Sequence, residues 1–283
     1  MGETLWDVLP NGEFLGGAPL NVAGHMARLG TPVALLSRVG TDARGRRALQ
    51  QLNELGIDLT LMQVDPELPT GEARAVLDHA GSAAYAFLQP AAWDHLESAA
   101  HAVEVARAAP ALIYGTLAQR SPASRDVIRR LLSVGRWRVL DLNLRAPHDD
   151  ADTALSSLAF ADFVKLNDDE LVVLAGWLGV EAARDAVREA LALRYGVRTL
   201  CITQGARGAV LWHDGGWTEQ PAVPTSVADT VGAGDSFLAM LLSRLLQGAT
   251  PERAMTDAAR LAAFVASRSG AIPTYSAEQF SGS

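Results

Sequence analysis

The residues best placed to do chemistry lie in one run, DTVGAGDS, from Asp229 to Ser236. Asp229 and Asp235 bracket Gly232 and Gly234, and the apolar stretch FLAMLL follows at once. Glycine lets the backbone come close to a ligand. A helix starting near Ala233 would aim its free N–H groups and positive dipole end at the loop, which makes an anion site suited to phosphate. Asp235, in the first turn, is then either a base beside that anion or a charge that complements the dipole. In the second reading Asp229 or Thr230 caps the helix. The run alone leaves both readings open.

Other phosphate-binding patterns do not fit. A Walker A loop needs Gly-Lys-Ser/Thr, and the single lysine, Lys165, lies in VKLN with no glycine loop before it. A dinucleotide fingerprint needs G-x-G-x-x-G after the first strand, whereas GAGDSF lacks the third glycine and lies near the C-terminal end. The six histidines are scattered and form no metal-ligand pattern; His25, in LNVAGHMARLG, reads as a packing or surface residue. No G-x-S-x-G nucleophile elbow is present.

The elements that must position these residues alternate between strand and helix. VALLSRVG (33–40), PALIYGT (110–116), WRVLDLNLR (137–145), DFVKLN (162–167) and VRTLCITQG (197–205) read as strands. Between them lie the helical patterns ARGRRALQQLNELG, SPASRDVIRRLLSVG with Ser121 as N-cap and Pro122 in the first turn, DDELVVLAG, and EAARDAVREALALRYG. This alternation predicts a mostly parallel sheet covered by helices on both faces, and the unbroken apolar TLCIT and VALL suit strands buried on both sides. Two regions depart from the rhythm. Residues 70–89 read as a hairpin turning at Asp-His-Ala-Gly, and 208–220 as a second hairpin around Asp214. The first, with LPNGEFLGG (9–17), would make a small β-flap over one end of the sheet.

Bulk properties bound the function. The 283 residues suit one large α/β domain, and a hydrophobic share of 49% supplies a sizeable core. A net charge of −8 argues against sequence-independent nucleic-acid binding. No apolar run approaches the ~18 residues of a membrane helix, and the start lacks the pattern of a secretory signal. The one cysteine, Cys201, lies between apolar residues in TLCIT and reads as a buried, inert thiol. A cytoplasmic location is the expectation.

DTVGAGDSFLAMLL closely resembles the C-terminal signature of the ribokinase-like, phosphofructokinase-B type sugar kinases. GETLWDVLP, GGAPLNVAGHMARLG, VGTDARGRRALQQLNELGID, DLNLR, LNDDE, TQGARGAV and SRSGAIP resemble other family segments in the family's order, so the resemblance covers essentially the whole chain. It implies a single domain over 1–283 with a three-layer α/β/α ribokinase-like fold, a mostly parallel central sheet and a β-flap lid near 9–17 and 70–89. It implies transfer of the ATP γ-phosphoryl group to a sugar hydroxyl, with Mg²⁺ riding on the nucleotide. Asp235 would be the general base, and the N–H groups of Gly232, Ala233 and Gly234 the anion hole. Asp7, Gly17 and Asn21 would bind the sugar. Asn143 and Arg145 would sit near the substrate or the transferred phosphate. Thr203, Gly205, Gly208, Asn167 and Thr230, with Gly232 and Gly234, would line the nucleotide. Asn167 and Glu170 resemble the element that orders the magnesium shell, mostly through water; capping with a first-turn acid is the other reading of that pair. Many members also hold a monovalent cation such as K⁺, and the Asp229 and Val231 carbonyls with the 267–271 loop are where it would lie.

The sequence departs from the family at its start. Relatives usually carry several apolar residues ahead of the GE pair, completing a central strand, whereas here only Met1 precedes Gly2. The short flap before GGAP would leave closure to residues 70–89 and a partner subunit, so a homodimer is expected. GETLWDVLP, GGAPLNVA, FLQPAAWDHL and DLNLR look most like bacterial fructokinases. Tyr85, Phe87 and Trp93 would wall the sugar or simply pack the core. Ribokinase, 2-keto-3-deoxygluconate kinase and nucleoside kinase stay open as alternatives. So does a non-catalytic sugar-binding regulator, which the intact GAGD opposes; a dinucleotide oxidoreductase is opposed by the missing fingerprint.

Overall fold

The computed structural model describes residues 1–9, 12–77 and 83–280, leaving aside the side chains of 75–77 and 83–85. The turn anticipated at 78–81, Pro10 and Asn11 of the expected flap, and the Tyr85 side chain lie outside that description.

The first part of the chain builds the flap. Strand β1 (Leu5–Leu9) turns back into β2 (Gly12–Gly16), and helix α1 (Ala18–Arg28) follows. Next come β3 (Ser37–Gly40), α2 (Ala43–Glu54), β4 (Met62–Asp65), β5 (Gly71–Leu77) and β6 (Ala83–Phe87). Strands β2, β1, β5 and β6 form a four-stranded sheet in that order, so the flap also takes in the strand that carries Asp7. The strand expected over 33–40 is shorter. Only Ser37–Gly40 pairs regularly, with β4, and Ala34 makes an isolated bridge to Asp58.

The rest alternates as anticipated. Helix α3 (Ala100–Ala108) precedes β7 (Leu112–Tyr114), and α4 (Pro122–Leu132) precedes β8 (Arg138–Asp141). Then come α5 (Ala151–Leu158), β9 (Phe163–Asn167), α6 (Asp168–Leu178), α7 (Arg184–Tyr195) and β10 (Thr199–Thr203). Hairpin β11 (Ala209–His213) and β12 (Gly216–Gln220) leads to α8 (Ala233–Leu246) and α9 (Pro251–Ala266). The central sheet runs β12-β11-β10-β9-β8-β7, parallel from β7 to β10 and antiparallel across the hairpin.

The period of two along these strands produces the three layers. Leu140, Val164, Ile202 and Val210 face a core shared with α3 to α7. Their chain neighbours Val139, Phe163, Cys201 and Leu211 face a second core shared with α1, α8 and α9. Burial pushes the Cys201 thiol up to about 12, so it is inert, as its surroundings in the sequence suggested.

Local chemistry sets the helix ends. Asp42 caps α2 by accepting from the Gly45 amide at 2.7 Å, and Gly179 and Gly196 stop α6 and α7 in the left-handed conformation. Ser121 does precede α4, but its hydroxyl donates to the Asp94 carbonyl instead of capping. Tertiary context has taken over that hydroxyl.

At the start of the chain the Met1 amino group donates to the Ile113 carbonyl at 2.8 Å, and the Gly2 amide to the Leu36 carbonyl at 3.0 Å. Consecutive residues thus bond to opposite sides, as a strand between two neighbours does. Beside them lies a cavity of about 1000 Å³, lined by Leu35, Ala106 and Leu112 among others. It also touches Ser243 and Leu246, at the C-terminal end of α8, so it lies at the opposite end of that helix from Asp235.

Candidate active site

Three elements converge at the start of α8. Gly232 is its N-cap, with φ 76°, and a Cβ there would lie 2.6 Å from the Ala271 carbonyl oxygen, so glycine is required. Asp235 follows in the first turn and accepts a hydrogen bond from Asn21 Nδ2 of α1 at 2.8 Å. Asp7, on β1, is close enough to interact electrostatically with both Asp235 and Arg145. Gly16, paired across the flap, makes room for Asp7: a Cβ at that position would lie 2.3 Å from Asp7 Oδ2. Gly17 has φ 112° and packs against the Glu3 carbonyl, which leads directly into α1 and Asn21.

The site is crowded with desolvated acids. Burial raises the pKa of Asp235, and Asp141 raises it further, while Lys165, the Asn21 hydrogen bond and Arg145 oppose them. Burial likewise raises Asp7 to about 6, against the pull of Arg145. Glu3, buried nearby, is raised by burial to about 7. Asp7 and Glu3 are thereby brought near neutrality, and Asp235 is moved in the same direction, the shift expected of carboxylates gathered at a functional site.

The remaining candidates are placed unevenly. Asn143 follows β8 with φ 41° and lines a small cleft with Asp141, Glu3 and Thr116. Arg145 is exposed and donates to the Leu144 carbonyl at 2.9 Å, so its guanidinium is free to turn toward an anion. Thr203 ends β10, and Gly205 and Gly208 bound the turn into β11, both with positive φ. A Cβ at Gly208 would lie 2.0 Å from the Gln220 carbonyl oxygen. Thr230 is exposed, and its carbonyl accepts from the Ala233 amide at 3.2 Å. That bond occupies one of the three N–H groups expected in the anion hole.

Asn167 and Glu170 form a reciprocal capping box on α6, with 2.8 Å bonds in both directions. The second Glu170 oxygen accepts from the Leu144 amide at 2.8 Å, which anchors the segment carrying Asn143 and Arg145. Both carboxylate oxygens therefore hold backbone. Among the described residues no cluster of three or more His, Cys, Asp or Glu side chains is arranged to hold a metal ion. A magnesium ion carried by nucleotide phosphates and reached through water fits this donor set.

Trp93 is buried in the core, with the Arg120 guanidinium 3.9 Å above its ring, so it does not wall a sugar. Phe87 is half-buried and meets His148 edge-on. His25 is buried, bonded to Tyr275 and to the Ala271 carbonyl. Sequence reasoning missed Gly16, Asp141 and Lys165. A signal for the last was available: a lone lysine in the apolar strand FVKLN must find a carboxylate partner once buried.

The pfkB family carbohydrate kinase domain matches residues 11–278. The chain belongs to that family. A fructokinase of Klebsiella pneumoniae is 30% identical, over 97% of this chain and 92% of that protein. The crystal structure of an ATP-bound fructokinase from Xylella fastidiosa superimposes with a TM-score of 0.83 at 25% identity, covering 96% of this chain and 92% of the other. An aminoimidazole riboside kinase from Salmonella enterica, complexed with aminoimidazole riboside and an ATP analogue, gives 0.80 at 25% identity, covering 99% and 96%. The three-layer ribokinase-like fold and the sugar-kinase class, a phosphotransferase acting on an alcohol group, thus agree with the sequence resemblance. Among the described residues no helix is long and apolar enough to cross a membrane.

Proposed function

We propose that the protein transfers the γ-phosphoryl group of Mg-ATP to a hydroxyl of fructose, with Asp235 as general base. The observation that carries this reading is the convergence of Asp235, Asn21 and Asp7 beside the start of α8. A sugar hydroxyl bound by Asp7 and Asn21 would present its proton to Asp235, and the Gly234 end of the helix would face the incoming phosphoryl group. Phosphoryl transfer asks for this combination of positioning, one base and charge stabilisation. Arg145 supplies a cationic fork that can swing onto the transferred group. Thr203, Gly205 and Gly208 lie at the sheet's C-terminal edge, where a nucleotide would pack. A monovalent cation would sit where Asp229 ties to Gly270 through a 3.3 Å bond. Fructose is favoured by the fructokinase relatives, and the riboside kinase likeness makes a nucleoside the principal alternative acceptor. A homodimer completing the flap, in the cytoplasm, is part of the same proposal.

The test is ADP release with Mg-ATP across fructose, glucose, ribose, 2-keto-3-deoxygluconate and adenosine, with and without K⁺. Turnover selective for fructose supports the whole reading. Selective turnover on another acceptor keeps the chemistry and discards fructose.

A further inference from the structure

Lys165 is the only lysine in the chain, and it is buried. Its place follows from strand register. Asp141 on β8 and Cys201 on β10 flank it in the sheet, and all three point to the face covered by α1 and α8. Its Nζ lies 3.0 Å from Asp141 Oδ1, while Asp141 Oδ2 is buried without a hydrogen-bond partner. A Cβ on Gly234 would lie 3.3 Å from Nζ, so the ammonium sits directly beneath the first turn of α8. Glycine at 234 is what lets the helix come down onto it.

We propose that Lys165 is a positioning residue for the phosphoryl-transfer centre, and that with Asp141 it forms a buried charge-balancing pair that acts on Asp235 through the first turn of α8. The inference rests on the reading of Asp235 as the base. Every group facing Asp235 enters the balance: Asn21 from α1, Asp7 from β1, Asp141 from β8, Arg145 from the following loop, and Lys165 from β9. Lys165 in turn faces Asp141, Glu170 and Asp235. Burial and Asp141 favour protonated Asp235, and a protonated carboxyl cannot accept the sugar proton. Lys165 opposes both. It remains ammonium itself, because the surrounding carboxylates outweigh its own burial.

The pair makes opposite predictions for its two halves. Lys165→Met should move the acid limb of the kcat profile to higher pH, losing about tenfold or more of turnover on that limb and recovering most of it at the alkaline end of the profile. Asp141→Asn should move that limb to lower pH, and the double variant should return it toward wild type. A merely structural role would lower turnover at every pH and move no limb, and an unmoved limb in both single variants would overturn the proposal. If Lys165→Met fails to fold, Asp141→Asn tests the same coupling alone. Carboxyl NMR titration of Asp235, assigned with Asp235→Asn, reads the effect without substrate. A shifted Asp235 titration in an inactive protein would sink the kinase reading and keep the coupling; an unshifted one would sink the coupling.

Discussion

Asn21 Nδ2 on α1 lies 2.8 Å from Asp235 Oδ2 on α8, joining residues far apart in sequence at the point where the helices meet. An amide N–H can only donate, so the bond favours the ionised carboxylate and fixes which oxygen stays free. Asp235→Asn should fold normally and lose on the order of 10²–10⁴ in kcat, the usual worth of a general base. Asn21→Ala should lose about tenfold in kcat, with the acid limb of the profile moved to higher pH. Steady-state kinetics from pH 5 to 9 decide it, and near-native turnover of Asp235→Asn would remove Asp235 as the base.

Gly16 makes a different kind of prediction, because its role is the space it leaves. An added methyl would meet Asp7 Oδ2 at 2.3 Å and push the carboxylate aside. Gly16→Ala should therefore cut kcat/KM for the sugar about 10- to 100-fold while leaving the KM for ATP unchanged. Equal losses for both substrates would show that the substitution disturbs the fold instead of the Asp7 contact.

Glu170 separates two roles read from the same sequence pattern. As a capping residue it holds the Asn167 and Leu144 amides, and its removal orphans both. Glu170→Ala should then lose about 2–4 kcal/mol in urea unfolding. A variant of native stability with a raised magnesium requirement would show that Glu170 acts through the magnesium shell instead of as a cap.

The strand and helix order was legible because apolar periodicity and glycine stops are local signals. So was Asp235, because GAGDS lies directly before an apolar helix. What escaped was set by partners distant in the chain. Ser121 looked like a cap, yet Asp94 takes its hydroxyl. Val33–Leu36 looked like strand, yet regular pairing begins only at Ser37. Asn167 and Glu170 carried one pattern that suited a cap and a metal shell alike, and only the Leu144 amide, brought in by β8, shows both oxygens engaged. Lys165 was used only to exclude a Walker loop, since nothing local says that its register partner is Asp141.

His25 supplies the pH prediction. Nε2 lies 2.9 Å from the Ala271 carbonyl, which can only accept, so Nε2 carries the proton and Nδ1 accepts from the Tyr275 hydroxyl at 2.8 Å. This neutral ring ties α1 to the segment against which Gly232 packs. Burial lowers its pKa to about 4, and Arg28 adds to the effect against the Ala271 bond. The unfolded chain takes up a proton below about 6.5, but the folded protein does so only near 4. Stability is therefore fully present above pH 6.5 and lost as pH falls to 4, by roughly 3 kcal/mol. Glu3 contributes with the opposite sign: its pKa, raised to about 7, favours the folded state below its unfolded value of 4.5 and weakens it as pH climbs to 7. Subtracting the unfolding curve of His25→Gln from that of wild type across pH 4–8 isolates the histidine. The difference should grow in favour of wild type as pH rises from 4 to 6.5 and stay level beyond. A flat difference would mean that His25 is not held neutral in the fold.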